Sequence, residues 1–153
     1  MFFSRSLIVA LLALFVSTAP AHAGSSDAIV KLTSNNDVAT TVKKLKDQIA
    51  AKGLKLFGVI DHAAAAKEIG RNMAPSQVVM FGKPATGMRV MWHDPAVALD
   101  LPMKVLVYQD DVGDTHIVYR KPTSLRQVYA VENCMVLDKM DGGLAMLTKN
   151  AAQ

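Results

Sequence analysis

Asp61 and His62 stand where an apolar run, Leu54–Ile60, gives way to an alanine-rich segment, Ala63–Ala66. A strand feeding a helix at that point leaves unpaired N–H groups and partial positive charge in the first helical turn, a setting that holds an anion or carboxylate. There a neutral His62 could act as general base with Asp61 as its orienter, the chemistry of a small hydrolase or isomerase. The same two residues also fit a plain helix cap and spacer.

A second group is Met88, Met91, Trp92 and His93, with Met73, Met80 and Met103 nearby in sequence. Thioethers and an imidazole suit Cu(I), so Met88, Met91 and His93 are candidate ligands of an exported copper-binding protein. Methionine is also a flexible filler of apolar gaps, and Met88 and Met91 lie three apart, as one packed helix face requires. Asp110, Asp111 and Asp114 surround a tight turn, without the twelve-residue spacing and closing Glu of an EF-hand. They read as a solvated turn. No HExxH, GxSxG, P-loop or dinucleotide fingerprint is present, and the residues name no cofactor.

The elements that must position these groups follow from periodicity. Ala28–Thr33 reads as a first strand. Ser34 to Asp37 reads as a capping box with Ser34 as N-cap. The helix after it carries Val38, Val42, Leu45 and Ile49 on one stripe and ends at Gly53 in a left-handed conformation. Leu54–Ile60 reads as a strand entering the core. His62–Gly70 reads as a helix whose alanines allow close packing on a sheet. Gln77–Phe81 is a third strand, and Ala85–Trp92 a short helix. A helical turn after Pro95 follows, and then a hairpin of Met103–Gln109 with Thr115–Arg120. Helix is expected again over Leu125–Val131 and from Met135 to Ala151, where Gly142 and Gly143 should weaken or bend it. The pattern predicts an α+β, two-layer single domain: a mixed sheet of about five strands with helices mainly on one face.

The chain begins as an exported one does. Arg5 precedes an apolar run, Leu7–Val16, and Pro20–Ala23 ends in a small-x-small pattern that predicts cleavage after Ala23. That run is about ten residues, short of the ~20 a membrane span needs. The expected order is a signal peptide over 1–23, a leader and first strand over 24–35, and one domain over 36–151. The location is periplasmic or secreted, with no membrane span after signal cleavage. Loss of Arg5 takes the formal charge from +4 to +3. The basic residues are dispersed among Lys43, Lys44, Asp47 and Lys52, so no nucleic-acid footprint forms. Cys134 is the only cysteine, which excludes an intrachain disulfide and suits a small buried side chain.

Several motifs then fall in order: Gly58-Val59-Ile60-Asp61-His62 before an alanine-rich helix, Phe81-Gly82-Lys83-Pro84, Ala98-Leu99-Asp100-Leu101-Pro102, and an Asp-rich hairpin ending in Tyr119-Arg120. Together, over roughly residues 39–132, they resemble the domain of unknown function 302 family. Lys83 departs from the small polar residue more usual there before the proline. The resemblance implies a small α/β domain that pairs as a homodimer and assigns no chemistry. The expected function is an exported binding or accessory module for a small-molecule or protein ligand, with copper binding and His62-based catalysis as alternatives. Its expected pocket joins His62, Phe81, Lys83, Pro84 and Tyr108, with Asp100 at the rim.

Overall fold

Helix α1 (Val38–Ala51) forms because Val38, Val42, Leu45 and Ile49 recur on one side, and all four are buried. Asp37, rather than Ser34, caps it: the Asp37 carboxylate accepts the Thr40 N–H at 2.7 Å. Ser34 is instead buried and hydrogen-bonded to the Thr41 hydroxyl at 2.7 Å. The far end closes as expected on Gly53 at φ 61°. The Leu54 N–H reaches the Ile49 carbonyl and the Gly53 N–H the Ala50 carbonyl, the paired bonds of a Schellman motif.

A computed structural model describes residues 27–153; the predicted signal peptide and its cleavage site lie outside the described residues. The strands are β1 (Ile29–Ser34), β2 (Lys55–Asp61), β3 (Ser76–Gly82), β4 (Met103–Gln109) and β5 (Thr115–Arg120). They pair in the order β1-β5-β4-β3-β2. The expected five strands and single-sided helical layer are present. Every pairing is antiparallel rather than mixed, because α1 carries the chain from one edge strand, β1, across to the other, β2.

The helical layer is α1 with the long α4 (Val136–Ala152), packed on Val79, Phe81, Val105, Val107, Ile117 and Tyr119. Gly142 and Gly143 do not break α4. Its buried stripe of Leu137, Met140, Leu144, Leu147 and Ala151 holds it across them. A second cluster gathers Val90, Val97, Leu125, Val131, Leu137 and Cys134 beneath α3 (Pro84–Met91) and the 3-10 segment Pro95–Asp100. Cys134 is 1% exposed there.

Two expectations fail on position. Strand β2 lies at the sheet edge and leaves Leu56, Phe57, Val59 and Ile60 exposed, so it skirts the core instead of entering it. Helix α2 (His62–Glu68), in the β2–β3 connection, lies beside β3 but buries no residue, so its alanines do not make the close packing on the sheet that was expected. The helix expected over Leu125–Val131 is a 3-10 segment, Pro122–Gln127. Side chains pin the chain beyond it: Asp94 accepts the Ala130 N–H, and the Tyr129 hydroxyl donates to Asp100. Among the described residues no helix is long and apolar enough to cross a membrane.

Candidate functional site

The end of β3 at Gly82 delivers the chain into α3, and α3 faces α4 across an open cleft of about 560 Å³. That size falls in the range of small-molecule sites. On α3, Pro84, Gly87, Met88 and Met91 share one face and form one wall. On α4, Lys139, Gly143 and Met146 recur at spacings of four and three, a stripe beside the buried one, and form the opposite wall. Met103, Met140, Leu144 and Leu147 close the floor, and Phe57 and Leu101 complete the apolar surround. Five of the protein's nine methionines therefore meet in one place.

The cleft's polar side chains are few. Thr86 supplies a hydroxyl, and Lys52, Lys83 and Lys139 supply amines, all three lysines being exposed at the edge. Among the described residues no His, Cys, Asp or Glu side chain lines it. A β-carbon built on Gly143 meets no atom within 4 Å, so the helix backbone itself forms part of the wall.

The residues expected to share one pocket are divided. Lys83 and Pro84 line the cleft. His62 and Tyr108 do not, since Asp61 pairs with Gln77 and Tyr108 with Ser76, at the opposite end of β3. At about 3.3 Å per strand residue, that end lies roughly 20 Å from Lys83. Phe81 is 0% exposed and points into the main core, not at solvent. Asp100 belongs to a smaller hollow of about 60 Å³, which shares Leu101, Met103 and Met140 with the cleft. Asp100 accepts the Tyr129 hydroxyl at 2.7 Å, a bond that pushes the Tyr129 phenol above its ordinary value.

Asp61 caps α2 by accepting the Ala64 N–H, and its other oxygen accepts from Gln77 Nε2 at 3.0 Å. Its carboxylate is committed to these partners, and His62 stands exposed at the helix start. Met88 and Met91 face the cleft, whereas His93 is exposed and outside the wall. Asp110 ties the β4–β5 turn by accepting the Val112 and Asp114 N–H groups, with Gly113 at φ 96°.

Two features escaped the sequence reading. One is the cleft, whose walls come from α3 and α4, segments far apart in the chain. The α4 half was visible only as the second stripe, Lys139, Gly143 and Met146. The other is His116, which is 7% exposed, with Nε2 bonded to Asp110 Oδ2 and Nδ1 without a partner among the described residues. Its ring lies 5.3 Å from that of Tyr108, over which Lys31 Nζ sits at 5.5 Å. The sequence signal was a histidine six residues after an aspartate across a tight turn, a pairing that only the hairpin register makes close.

The comparisons with known proteins agree with this fold. The model of the family described as domain of unknown function DUF302 matches residues 30–147. A crystal structure titled as an uncharacterized conserved protein DUF302 from Bacillus stearothermophilus superposes with a TM-score of 0.72. It is 20% identical, with coverage of 84% of this chain and all of that one. Proteins named fluoride-specific ion channel FluC 1, from Brucella suis and Brucella abortus, are 29% identical over 126 residues, 81% of this chain. The chain spans about half the length of these relatives, 50% and 47%.

Proposed function

Since the chain belongs to the DUF302 family, whose description assigns no activity, we propose a function from the site itself: a small binding module that holds an apolar ligand between α3 and α4. The observation that carries this reading is the cleft's lining. Five methionines give an adaptable, polarizable surface, the kind used where varied apolar shapes must be accommodated. General acid–base chemistry most often uses an imidazole or a carboxylate; those of the described residues stand away from the cleft, whose ionisable side chains are the three exposed lysines at its edge. The thioethers alone could attract Cu(I), but the lining pairs them with neither imidazole nor thiolate, so an organic ligand fits better.

Export through the Arg5–Ala23 segment would set this module in the periplasm or outside the cell. Fluoride conduction, the activity in the relatives' name, is not part of the reading. The similarity spans about half of those proteins, and none of the described helices here is long and apolar enough to cross a membrane.

Self-association is the partner reading, and the sheet's second face supports it. Ile60, Val78, Leu106 and Val118 lie side by side across β2, β3, β4 and β5, and none belongs to either core cluster. Ile60 is 44% exposed. An apolar row of this kind on a two-layer domain suits a second copy of the same sheet.

The test of the cleft is Nile red titration of the purified protein. Saturable binding at one site per chain, abolished by Met88→Asp, supports the module. Binding that Met88→Asp leaves intact, or no saturable binding, overturns it. Metal analysis after copper loading separates the alternative: retained copper that is lost with Met88 and Met91 would favour the metal reading.

A further inference from the structure

Resting on that cleft as the binding site, we infer that its ligand is a single-chain amphiphile with an anionic head, a carboxylate or a phosphate monoester. The tail lies along the methionine floor and the head meets Lys52, Lys83 and Lys139. These three amines come from separate elements: the end of α1, the entry to α3 and the first turn of α4. The three residues border one apolar hollow whose lining, among the described residues, contains no acidic side chain.

The nearby acids are engaged elsewhere. Asp138, next to Lys139, is held by Arg126 at 2.7 Å. Asp141 accepts from the Thr123 hydroxyl, and Asp47 pairs with Lys43 at 2.8 Å. None of the three lysines at the cleft makes an ion pair among the described residues. Three unneutralised cations around an apolar cavity leave a neutral tail satisfied and its charge demand unmet.

The amino end of α3 adds to the same field. Its N-cap position is Lys83, with no side-chain cap, and its first turn holds no acidic residue. The partial positive charge of that helix end therefore opens beside Lys83 uncompensated. A neutral apolar ligand would use the floor alone. A cationic amphiphile would meet repulsion at the rim.

Exposed charge contacts are individually weak, so the head group should sharpen affinity rather than create it. Three such contacts correspond to about a tenfold gain, and screening should erode it as salt rises. Calorimetric titration below micelle-forming concentrations compares dodecanoate, dodecyl phosphate, dodecanol and dodecyltrimethylammonium on the purified chain. The expected order is either anion over dodecanol by about tenfold, with the cation weakest. The anion preference shrinks in high salt and disappears in the triple variant Lys52→Gln, Lys83→Gln, Lys139→Gln, whose affinity for either anion falls to its own affinity for dodecanol. Whichever of dodecanoate and dodecyl phosphate binds more tightly identifies the head group. Equal binding of dodecanol and both anions, while Nile red still binds, overturns the anionic head and leaves the cleft reading standing. Failure of all four amphiphiles together with Nile red overturns both.

Discussion

His116 Nε2 and Asp110 Oδ2 lie 2.6 Å apart, joining a nearly buried imidazole to the carboxylate that ties the β4–β5 turn. The hydrogen bond with His116 is the main cause that holds the Asp110 carboxyl below its ordinary value of 3.8, with the Asp114 and Val112 N–H groups adding to it. A carboxyl depressed in the folded state stabilises the fold above its unfolded value, and that contribution fades as pH falls through the folded one. Asp110→Asn should therefore lower the melting temperature at neutral pH and narrow its gap to the parent below about pH 4. Thermal melts of both proteins across the acid range measure it. A gap that stays constant into strong acid would show that the carboxylate's charge is not what stabilises the turn.

Gly53 is required by its backbone, not by its surroundings. It sits at φ 61°, and a β-carbon there would meet no atom within 4 Å. Gly53→Ala should cost about 1 kcal/mol through left-handed strain alone, read as a lower urea midpoint at unchanged slope. A larger loss would indicate that the Ile49–Leu54 closure of α1 had opened.

Phe81 separates a core residue from a wall residue. Its neighbour Gly82 lines the cleft, while Phe81 is 0% exposed on the face packed by α1 and α4. Phe81→Ala should cost about 3–5 kcal/mol in denaturant unfolding, the scale of a deleted buried aromatic ring. A loss under 1 kcal/mol would mean the ring is not central to the core.

These positions show what could be read from residue order and what could not. The α1 stripe and its Gly53 stop are local, since both follow from 3.6-residue periodicity and one left-handed residue, and both were legible. So was the β4–β5 hairpin, whose tight turn is Asp111-Val112-Gly113-Asp114. The place of β2 was not, because an edge strand and a central strand can share the same apolar run, and only the sheet order separates them. The expected pocket failed for the same reason. Residues adjacent in the motifs at the two ends of β3 are divided by the strand's own length, while Met88 and Met146 meet only through tertiary packing.

Leu106 lies in the middle of the apolar row, between Val78 and Val118 on the face no core cluster uses. Leu106→Glu should leave melting nearly unchanged in the monomer yet weaken self-association more than tenfold, about 1.4 kcal/mol or more. Sedimentation of the parent should show a dimer at micromolar concentration and of the variant a monomer. A parent that sediments as a monomer throughout would remove the sheet face as an interface.

Gly143 offers the sharpest separation of binding from stability. Glycine in a helix interior costs about 1 kcal/mol relative to alanine, and leucine is nearly as good a helix former as alanine. A β-carbon at Gly143 meets no atom within 4 Å and the position lines the open cleft, so the side chain of Gly143→Leu should extend into that cleft. The variant should be as stable as the parent or up to about 1 kcal/mol more so, while Nile red binding falls at least tenfold. Most cavity-directed substitutions damage the fold and the site together, which makes lost binding ambiguous. Here the two effects have opposite signs. Only a ligand seated between α3 and α4 would produce a sturdier protein that no longer binds, whereas unchanged binding would place the ligand elsewhere.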